Sequence, residues 1–380
     1  MNENLQQQLL AELQHGNKQA VLKRCIDHAL SSTYRSETNA LVRSMADALY
    51  TNDESETVNQ LVHEFASLLP SHEKEEAVAL HKTVLKATDI SKHYKVGAFN
   101  FKAFSLDLKA GSLTGVVGQN GNGKTTLLRM LCGDLLATTG VIDYPLLATN
   151  NLDPYAIKQH IGFISQRIPR WFGVLKDNLV FTLANLNFSA DEIEFRVEVM
   201  LKRLGLYDFR EHTWSQISGG YRTRFELAKV LLTKPRILVL DEPLANLDVK
   251  AQQTFLQDLR HMAKTEGHPM AVILSSQLLH EVEQVSDDLI FIKNGECLLQ
   301  STSIVNNHES NIVEFISATS YEVILKLSST IEATLKSENN LYTISCSKNI
   351  TTKQLLKAMI EADIDILYYR DITNSTKRLF

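Results

Sequence analysis

The sequence predicts an α/β protein built on a parallel sheet, preceded by an all-α region and followed by a small α+β region. Three observations carry this. A glycine-rich loop, Gly118-Gln119-Asn120-Gly121-Asn122-Gly123-Lys124-Thr125-Thr126, stands between the mostly apolar run Leu113 to Val117 and the helical pattern Leu127-Leu128-Arg129-Met130-Leu131, giving the order strand, loop, helix. The run Ile237-Leu238-Val239-Leu240 is apolar throughout and has helical patterns on both sides, as a strand covered on both faces of a parallel sheet requires. Before residue 80 the apolar residues recur at helical spacing, whereas beyond Thr302 alternating and helical stretches are mixed.

A chain of 380 residues is more than one compact unit by the usual length prior. Its net charge of −5 argues against bulk nucleic-acid binding and against a polybasic membrane anchor. No apolar run reaches the roughly eighteen residues of a membrane span, and Met1-Asn2-Glu3-Asn4 lacks the features of a signal peptide. Work at a membrane is therefore expected to go through a partner. Cys25, Cys132, Cys297 and Cys346 are widely separated, which suits a reducing, cytoplasmic compartment and offers no metal-site spacing.

From Leu5 to about Leu69 the helical spacing runs through Leu9, Leu13; Leu22, Ile26, Leu30; Leu41, Met45, Leu49; and Val58, Val62, Phe65. Breaks at Gly16-Asn17, Ser31-Ser32-Thr33, Thr51-Asn52-Asp53 and Pro70 cut it into short helices. Such helices are marginal alone, so a small antiparallel bundle is expected, either a structural cap on the next domain or a docking surface for a partner.

Near Thr83 the pattern changes to a strand over residues 84–90, with Tyr94 just beyond it. A second strand pair is expected from Phe99 to Leu108. Tyr94 is a flat aromatic suited to stacking on a purine or to filling a core. In the loop that follows, glycines permit positive φ and bring successive N–H groups to an anion, while the new helix points its positive end at the same place. Lys124 adds a cation for the β- and γ-phosphates, and Thr125 a hydroxyl of the hardness Mg²⁺ accepts. Together they satisfy the phosphate-loop pattern G-x-x-x-x-G-K-[ST], so nucleotide binding anchors the functional reading.

After the loop helix, a short strand over residues 161–165 stops at Gln166, and the tandem Trp171-Phe172 lies in the polar turn beyond it. A helical tract continues to about Arg210. Ser218-Gly219-Gly220 opens another helix, where free N–H groups offer a second anion-binding arrangement. The buried strand from Ile237 ends in Asp241-Glu242-Pro243. Ligands of parallel sheets sit at the carboxyl ends of the strands, so Asp241 is placed to hold a Mg²⁺ shell and Glu242 to orient or deprotonate an attacking water. A further strand ends in Ser275-Ser276-Gln277, and residues 289–295 read as a hairpin. In the last region Tyr321-Glu322-Val323-Ile324-Leu325-Lys326-Leu327 alternates like a strand, as do residues 341–346 and 366–369, and residues 351–362 are helix-like.

The phosphate loop, Gln166, Ser218-Gly219-Gly220 and Asp241-Glu242-Pro243, in this order, make the segment from about Thr83 to Thr302 resemble the nucleotide-binding domain of ABC transporters. That resemblance implies a P-loop NTPase fold of ABC type over residues 81–305, between an N-terminal helical domain (1–80) and a small C-terminal α+β domain (306–380). It implies ATP and Mg²⁺ as cofactors. Tyr94 would stack on adenine, while Gly118, Asn120, Gly121, Asn122, Gly123, Lys124, Thr125 and Thr126 hold the phosphates. Thr125, Gln166 and Asp241 would surround the metal. Glu242 would be the catalytic carboxylate, assisted by Lys124, Gln166 and Gln277. Ser218, Gly219 and Gly220 would close on a nucleotide held by the opposite subunit, with Asp248 in the loop that crosses between them.

Two positions depart from the family pattern. Gln277 stands where a switch histidine is usual, and His280, one helical turn later, is no substitute for it. A glutamine amide donates a hydrogen bond but carries no charge or proton, so slow hydrolysis is expected. Tyr221 replaces the glutamine that usually follows the serine-glycine-glycine signature. The region after Thr302 and the ending Arg370-Asp371-Ile372-Thr373-Asn374-Ser375 resemble the C-terminal extensions of exporter ATPases. Trp171-Phe172 is either an anchor for the membrane subunit or part of the helical subdomain's core. The resulting expectation is an ATP-hydrolysing exporter subunit, acting as a dimer, with a homodimer expected. It would lie on the cytoplasmic face of the inner membrane, touching it only through an integral membrane permease, with no nucleic-acid partner. The rivals are a soluble, non-transport ABC-type ATPase and a slow nucleotide-dependent switch.

Overall fold

The computed structural model describes residues 5–31, 38–69, 80–95, 97, 99–146, 154–265, 268–277, 279–301, 310–338, 341–347 and 349–371. The expected breaks at Ser32-Thr33 and Pro70, the boundary at Thr302 and the ending beyond Asp371 lie outside these residues. The chain divides into two compact units, Met1–Leu299 and Gln300–Phe380.

The first unit begins with α1 (Leu5–Gln14), α2 (Lys18–Ser31), α3 (Asn39–Tyr50) and α4 (Glu56–Leu68). Their apolar faces, among them Leu9, Leu22, Ile26, Met45, Val58 and Val62, are fully buried against one another. This cluster runs on without a break into the helices that follow residue 170.

Next come β1 (Thr83–His93), β2 (Asn100–Lys109), β3 (Leu113–Val117), α5 (Lys124–Leu131), β4 (Thr139–Asp143), α6 (Pro154–Gln159) and β5 (Ile161–Ile164). The helical segment α7 (Leu175–Ala184), α8 (Ala190–Arg203) and α9 (Gly219–Leu232) precedes β6 (Ile237–Leu240), α10 (Val249–Ala263), β7 (Ala271–Ser276), α11 (Leu279–Glu283), β8 (Asp288–Lys293) and β9 (Glu296–Ser301). A six-stranded sheet has the order β5-β6-β7-β3-β8-β9, and the pairs from β5 to β8 are parallel. Every residue of β3, β6 and β7 is buried, as strands covered on both faces must be. The carboxyl ends of β5, β6 and β7 thus come out beside the loop that follows β3. An antiparallel sheet, β2-β1-β4, forms a separate layer. Where a strand pair was expected between Phe99 and Leu108, one strand is found, β2, pairing back onto β1.

Helices α2 and α3 lie against α8 and are fixed there by charge as well as by apolar packing. Arg203 donates through Nε and Nη2 to the two Asp27 oxygens, both at 2.9 Å, while Lys23 reaches Asp258 on α10 at 2.8 Å and Arg43 reaches Glu198 at 2.9 Å. Such pairs add little net stability over apolar packing, but removing one partner leaves a buried charge alone.

The second unit is a β-α-β-β-α-β arrangement: β10 (Ser310–Ser317), α12 (Tyr321–Thr330), β11 (Thr334–Glu338), β12 (Leu341–Ser347), α13 (Thr352–Glu361) and β13 (Ile366–Asp371). Its antiparallel sheet has the order β11-β12-β10-β13, the split β-α-β topology. One element corrects the sequence reading. Tyr321-Glu322-Val323-Ile324-Leu325-Lys326-Leu327 is the start of helix α12, not a strand. Its buried residues are Ile324, Leu327 and Ser328, a spacing of three and four that a window of seven does not separate from alternation.

Candidate nucleotide site

The loop between β3 and α5 wraps a cleft of about 430 Å³, lined among others by Asn120, Gly121, Gly123, Thr125 and Thr126. Two glycines have no substitute. Gly123 caps α5 at φ 110°, and a side chain there would meet the Phe99 ring at 2.7 Å. A Cβ on Gly118 would lie 2.4 Å from the Ile292 carbonyl of β8. Asn122 faces away from the cleft and pins the loop, its Oδ1 accepting from Asn294 N and its carbonyl from Gly295 N, both at 3.1 Å.

Lys124 is buried, and its ammonium donates to the carbonyls of Gly118 at 2.7 Å and Gln119 at 3.3 Å. It also lies 3.1 Å from Glu242 Oε1. The other carboxylate oxygen, Oε2, accepts from Gln166 Nε2 and from Gln277 Nε2, each at 2.8 Å. Four residues from the ends of three neighbouring strands and from the loop thereby meet at one carboxylate. Glu242 itself sits at φ 48°, a left-handed conformation that costs a non-glycine residue of order 1 kcal/mol and is found where surrounding structure enforces it.

Beside it, Thr125 Oγ1 donates to Asp241 Oδ2 at 2.7 Å. Asp241 Oδ1 accepts from Ser275 Oγ, also at 2.7 Å, and the same hydroxyl accepts from the backbone N–H of Glu242 at 2.9 Å. Ser275 was not singled out in the sequence. It belongs to the site because it orients both acids at once. A hydroxyl and a carboxylate side by side at a helix start are the hard oxygen donors that Mg²⁺ takes, so the donor set fits that cation, which Thr125 and Asp241 would hold.

Tyr94 lines the same cleft, half-exposed, its hydroxyl 3.3 Å from Thr126 Oγ1 and its ring 6.2 Å from Phe99. Phe99 is a second residue that the sequence reading passed over. Its signal is an aromatic a few positions after Tyr94, just ahead of a strand that pairs back.

Other expected residues lie elsewhere. Ser218 caps α9, its hydroxyl accepting from Tyr221 N, and Gly219 and Gly220 pack against Asn246 and Leu247. Asp248 caps α10, accepting from Ala251 N at 2.9 Å. None of these four lines the phosphate-loop cleft. The tandem aromatics divide: Trp171 packs against the helical core, donates Nε1 to Glu226 and holds Lys229 Nζ 3.7 Å over its ring, whereas Phe172 is 82% exposed. The side chain of His280 lies outside the described residues.

Comparison with known proteins agrees with this geometry. The family described as ABC transporter matches residues 101–245. The chain is 31% identical over 230 residues to the energy-coupling factor transporter ATP-binding protein EcfA1 of Streptococcus pneumoniae, covering 58% of this chain and 80% of that one. It is 29% identical to the spermidine/putrescine import ATP-binding protein PotA of Bacillus cereus, covering 56% of this chain and 64% of that protein. Among solved structures, cbiO1 from Clostridium perfringens, part of the ABC transporter complex cbiONQ, is 25% identical with a TM-score of 0.53, covering 66% of this chain and 96% of that one. The fold is also that of an ATP-binding cassette captured as a post-hydrolysis dimer with ADP and Pi, at 24% identity and a TM-score of 0.51 over 57% of this chain and 98% of that one. With a phosphate loop, its lysine and two acidic strand-end residues in one cleft, and these relatives over the same segment, the chain belongs to the ATP-binding proteins of ABC transporters and is an ATPase that uses ATP and Mg²⁺.

Proposed function

We propose that the protein is the ATP-hydrolysing subunit of an exporter. It works as a homodimer on the cytoplasmic face of the inner membrane and moves a cargo through a separate integral membrane permease. The observation that carries the catalytic part is the convergence of Lys124, Gln166 and Gln277 on the Glu242 carboxylate. Glu242 aligns the attacking water and takes its proton, while the two glutamine amides hold Oε2 so that the carboxylate keeps one orientation. Lys124 and the loop N–H groups meet charge that develops on phosphate oxygens. Thr125 and Asp241 would hold Mg²⁺, which would supply positive charge to the phosphates. Because Ser218, Gly219, Gly220 and Asp248 do not line the cleft of their own chain, a second copy contributes them.

Export is supported by the α+β unit after residue 300, which resembles the short C-terminal extensions of exporter ATPases. PotA, the relative named for import, matches 56% of this chain. Phe172, exposed beside the anchored Trp171, is the aromatic that a permease helix would cover.

Purifying the protein with its native membrane tests the reading. A polytopic chain is expected to accompany it, and Mg²⁺-dependent ATP turnover is expected for the wild type but not for Glu242→Gln. Recovery without any membrane chain counts against a transport role. Cells lacking the protein should accumulate the cargo; depletion of it would mean import instead.

A further inference from the structure

Helix α2 lies along the seam between two parts of the first unit: α7, α8 and α9, which pack on one another, and α10, which packs on β7 of the parallel sheet. It grips both. At its middle, Asp27 accepts from Nε and Nη2 of Arg203 on α8, each at 2.9 Å, while Lys23, one turn earlier, donates to Asp258 Oδ1 on α10 at 2.8 Å. Arg203 Nη1 lies 3.7 Å from Asp258 Oδ2 and closes this ionic string. At the end of α2 the pattern repeats. The Leu30 carbonyl accepts from Arg196 Nη1 of α8 at 2.6 Å, and the Ser31 carbonyl accepts from Lys234 Nζ, in the connection that enters β6, at 3.2 Å. Cations there satisfy carbonyls that a helix end leaves open and meet its negative pole.

Cohesion alone needs only an apolar stripe, and α2 has one in Val21, Leu22, Cys25 and Ile26, all buried. The polar ties add a different constraint, because each of the two levels holds one group on the α7–α9 side and one on the sheet side. An ion pair is lost once its atoms part beyond ~4 Å, so a shift of α8 against α10 by a few ångströms breaks a tie at each level. Ser218-Gly219-Gly220 opens α9 and rests against Asn246 and Leu247, just ahead of Asp248 and α10. The ties thus oppose a movement that would part these residues from their own chain.

We propose that α2 is an internal restraint on nucleotide-driven closure: it holds α7–α9 against the sheet core in the arrangement where Ser218-Gly219-Gly220 rest on Asn246 and Leu247, and it opposes their movement toward a nucleotide on a second copy. The inference rests on the reading of the protein as an ATP-closed dimer. The N-terminal helices then act as a brake, and loosening it favours closure at lower ATP.

Spin labels at Glu194→Cys on α8 and Gln257→Cys on α10, both exposed, measure the separation of the two parts within one chain. Cys297→Ser removes the natural thiol that is not buried. The full chain carries Glu242→Gln, expected to keep ATP intact, is diluted into unlabelled chain and is titrated with Mg-ATP. The separation is expected to change with ATP. The ATP concentration at half-change is expected to fall roughly threefold in Lys23→Gln, the size of one part-exposed ion pair, and to return in Lys23→Arg. Arg43→Gln, which breaks a pair between α3 and α8 only, is expected to leave it in place; a merely structural role would treat the two pairs alike. Equal midpoints in all of these chains, a higher midpoint in Lys23→Gln, or no ATP-driven change in separation overturns the proposal. Sedimentation of the same samples tests the dimer reading by itself: a chain that stays monomeric while its separations respond as expected supports the restraint and removes the dimer.

Discussion

Lys124 Nζ and Glu242 Oε1 stand 3.1 Å apart with both side chains more than nine-tenths withdrawn from solvent. The cation of the phosphate loop and the carboxylate at the end of β6 thus hold each other before either meets a substrate. Replacing Lys124 by Ala removes the phosphate-binding charge and leaves Glu242 with only its two amide donors. We expect ATP affinity to fall and turnover to drop by about 10²-fold or more, the usual size for a preorganised group aimed at transition-state charge. Equilibrium binding of labelled ATP and a steady-state turnover assay separate the two effects.

Gln277 donates to the same oxygen of Glu242 as Gln166 does, at the same 2.8 Å. An amide there fixes the carboxylate but neither carries charge nor shuttles a proton. A histidine can donate the same hydrogen bond and does both near its ordinary pKa. Gln277→His is therefore expected to raise turnover, with a pH dependence in the neutral range that the wild type lacks. Unchanged or lower turnover in a folded variant would show that the glutamine is not what limits hydrolysis.

Ser275 links the acids: its hydroxyl donates to Asp241 and accepts from the Glu242 N–H, and it is fully buried. Ser275→Ala leaves that N–H unpaired and Asp241 with one donor fewer, a loss of about 1–3 kcal/mol. Expected are a raised Mg²⁺ requirement and turnover lowered about tenfold. A Mg²⁺ titration of turnover, compared with the Mg²⁺-free affinity for ATP, tells positioning of Asp241 from general damage.

These residues were not equally legible. Lys124, Thr125, Asp241 and Glu242 announce themselves, because a glycine-rich loop and charged residues at the ends of apolar runs are poor core material, whereas Gln277 stands out only through the resemblance to the family pattern. Ser275 does not, since a serine at a strand end is common and its role follows from the register of β6 on β7, where Leu240 faces Leu274. No single sequence states that register. Arg203 and Asp27, 176 positions apart, are likewise invisible as a pair. So is the attachment they make between the N-terminal helices and α8, which periodicity presented only as amphipathic faces in need of cover. The misread of residues 321–327 has a local cause: Tyr321, Val323 and Leu325 alternate in sequence but stay 48%, 38% and 42% exposed, while Ile324 and Leu327 carry the packing. A serine at 320, the N-cap of the helix, was the signal to weigh against alternation.

His268 gives a prediction for stability. Its ring hydrogen-bonds the Pro235 carbonyl at 3.0 Å, and burial, with a smaller contribution from Arg236, pushes its pKa down from 6.5 to about 4. The unfolded chain therefore takes up a proton that the folded chain refuses. The stabilisation is fully present above the unfolded value of 6.5 and is lost as pH falls toward 4. By linkage the loss from this one group reaches about 2 kcal/mol near pH ~5. Other groups also titrate in this range, so the measurement is a difference: urea unfolding at pH ~7.5 and pH ~5 for the wild type and for His268→Gln, whose amide can keep the bond to Pro235. The wild type should lose about 2 kcal/mol more than the variant between the two conditions. Equal losses would mean that the His268 ring accepts its proton without opening the structure.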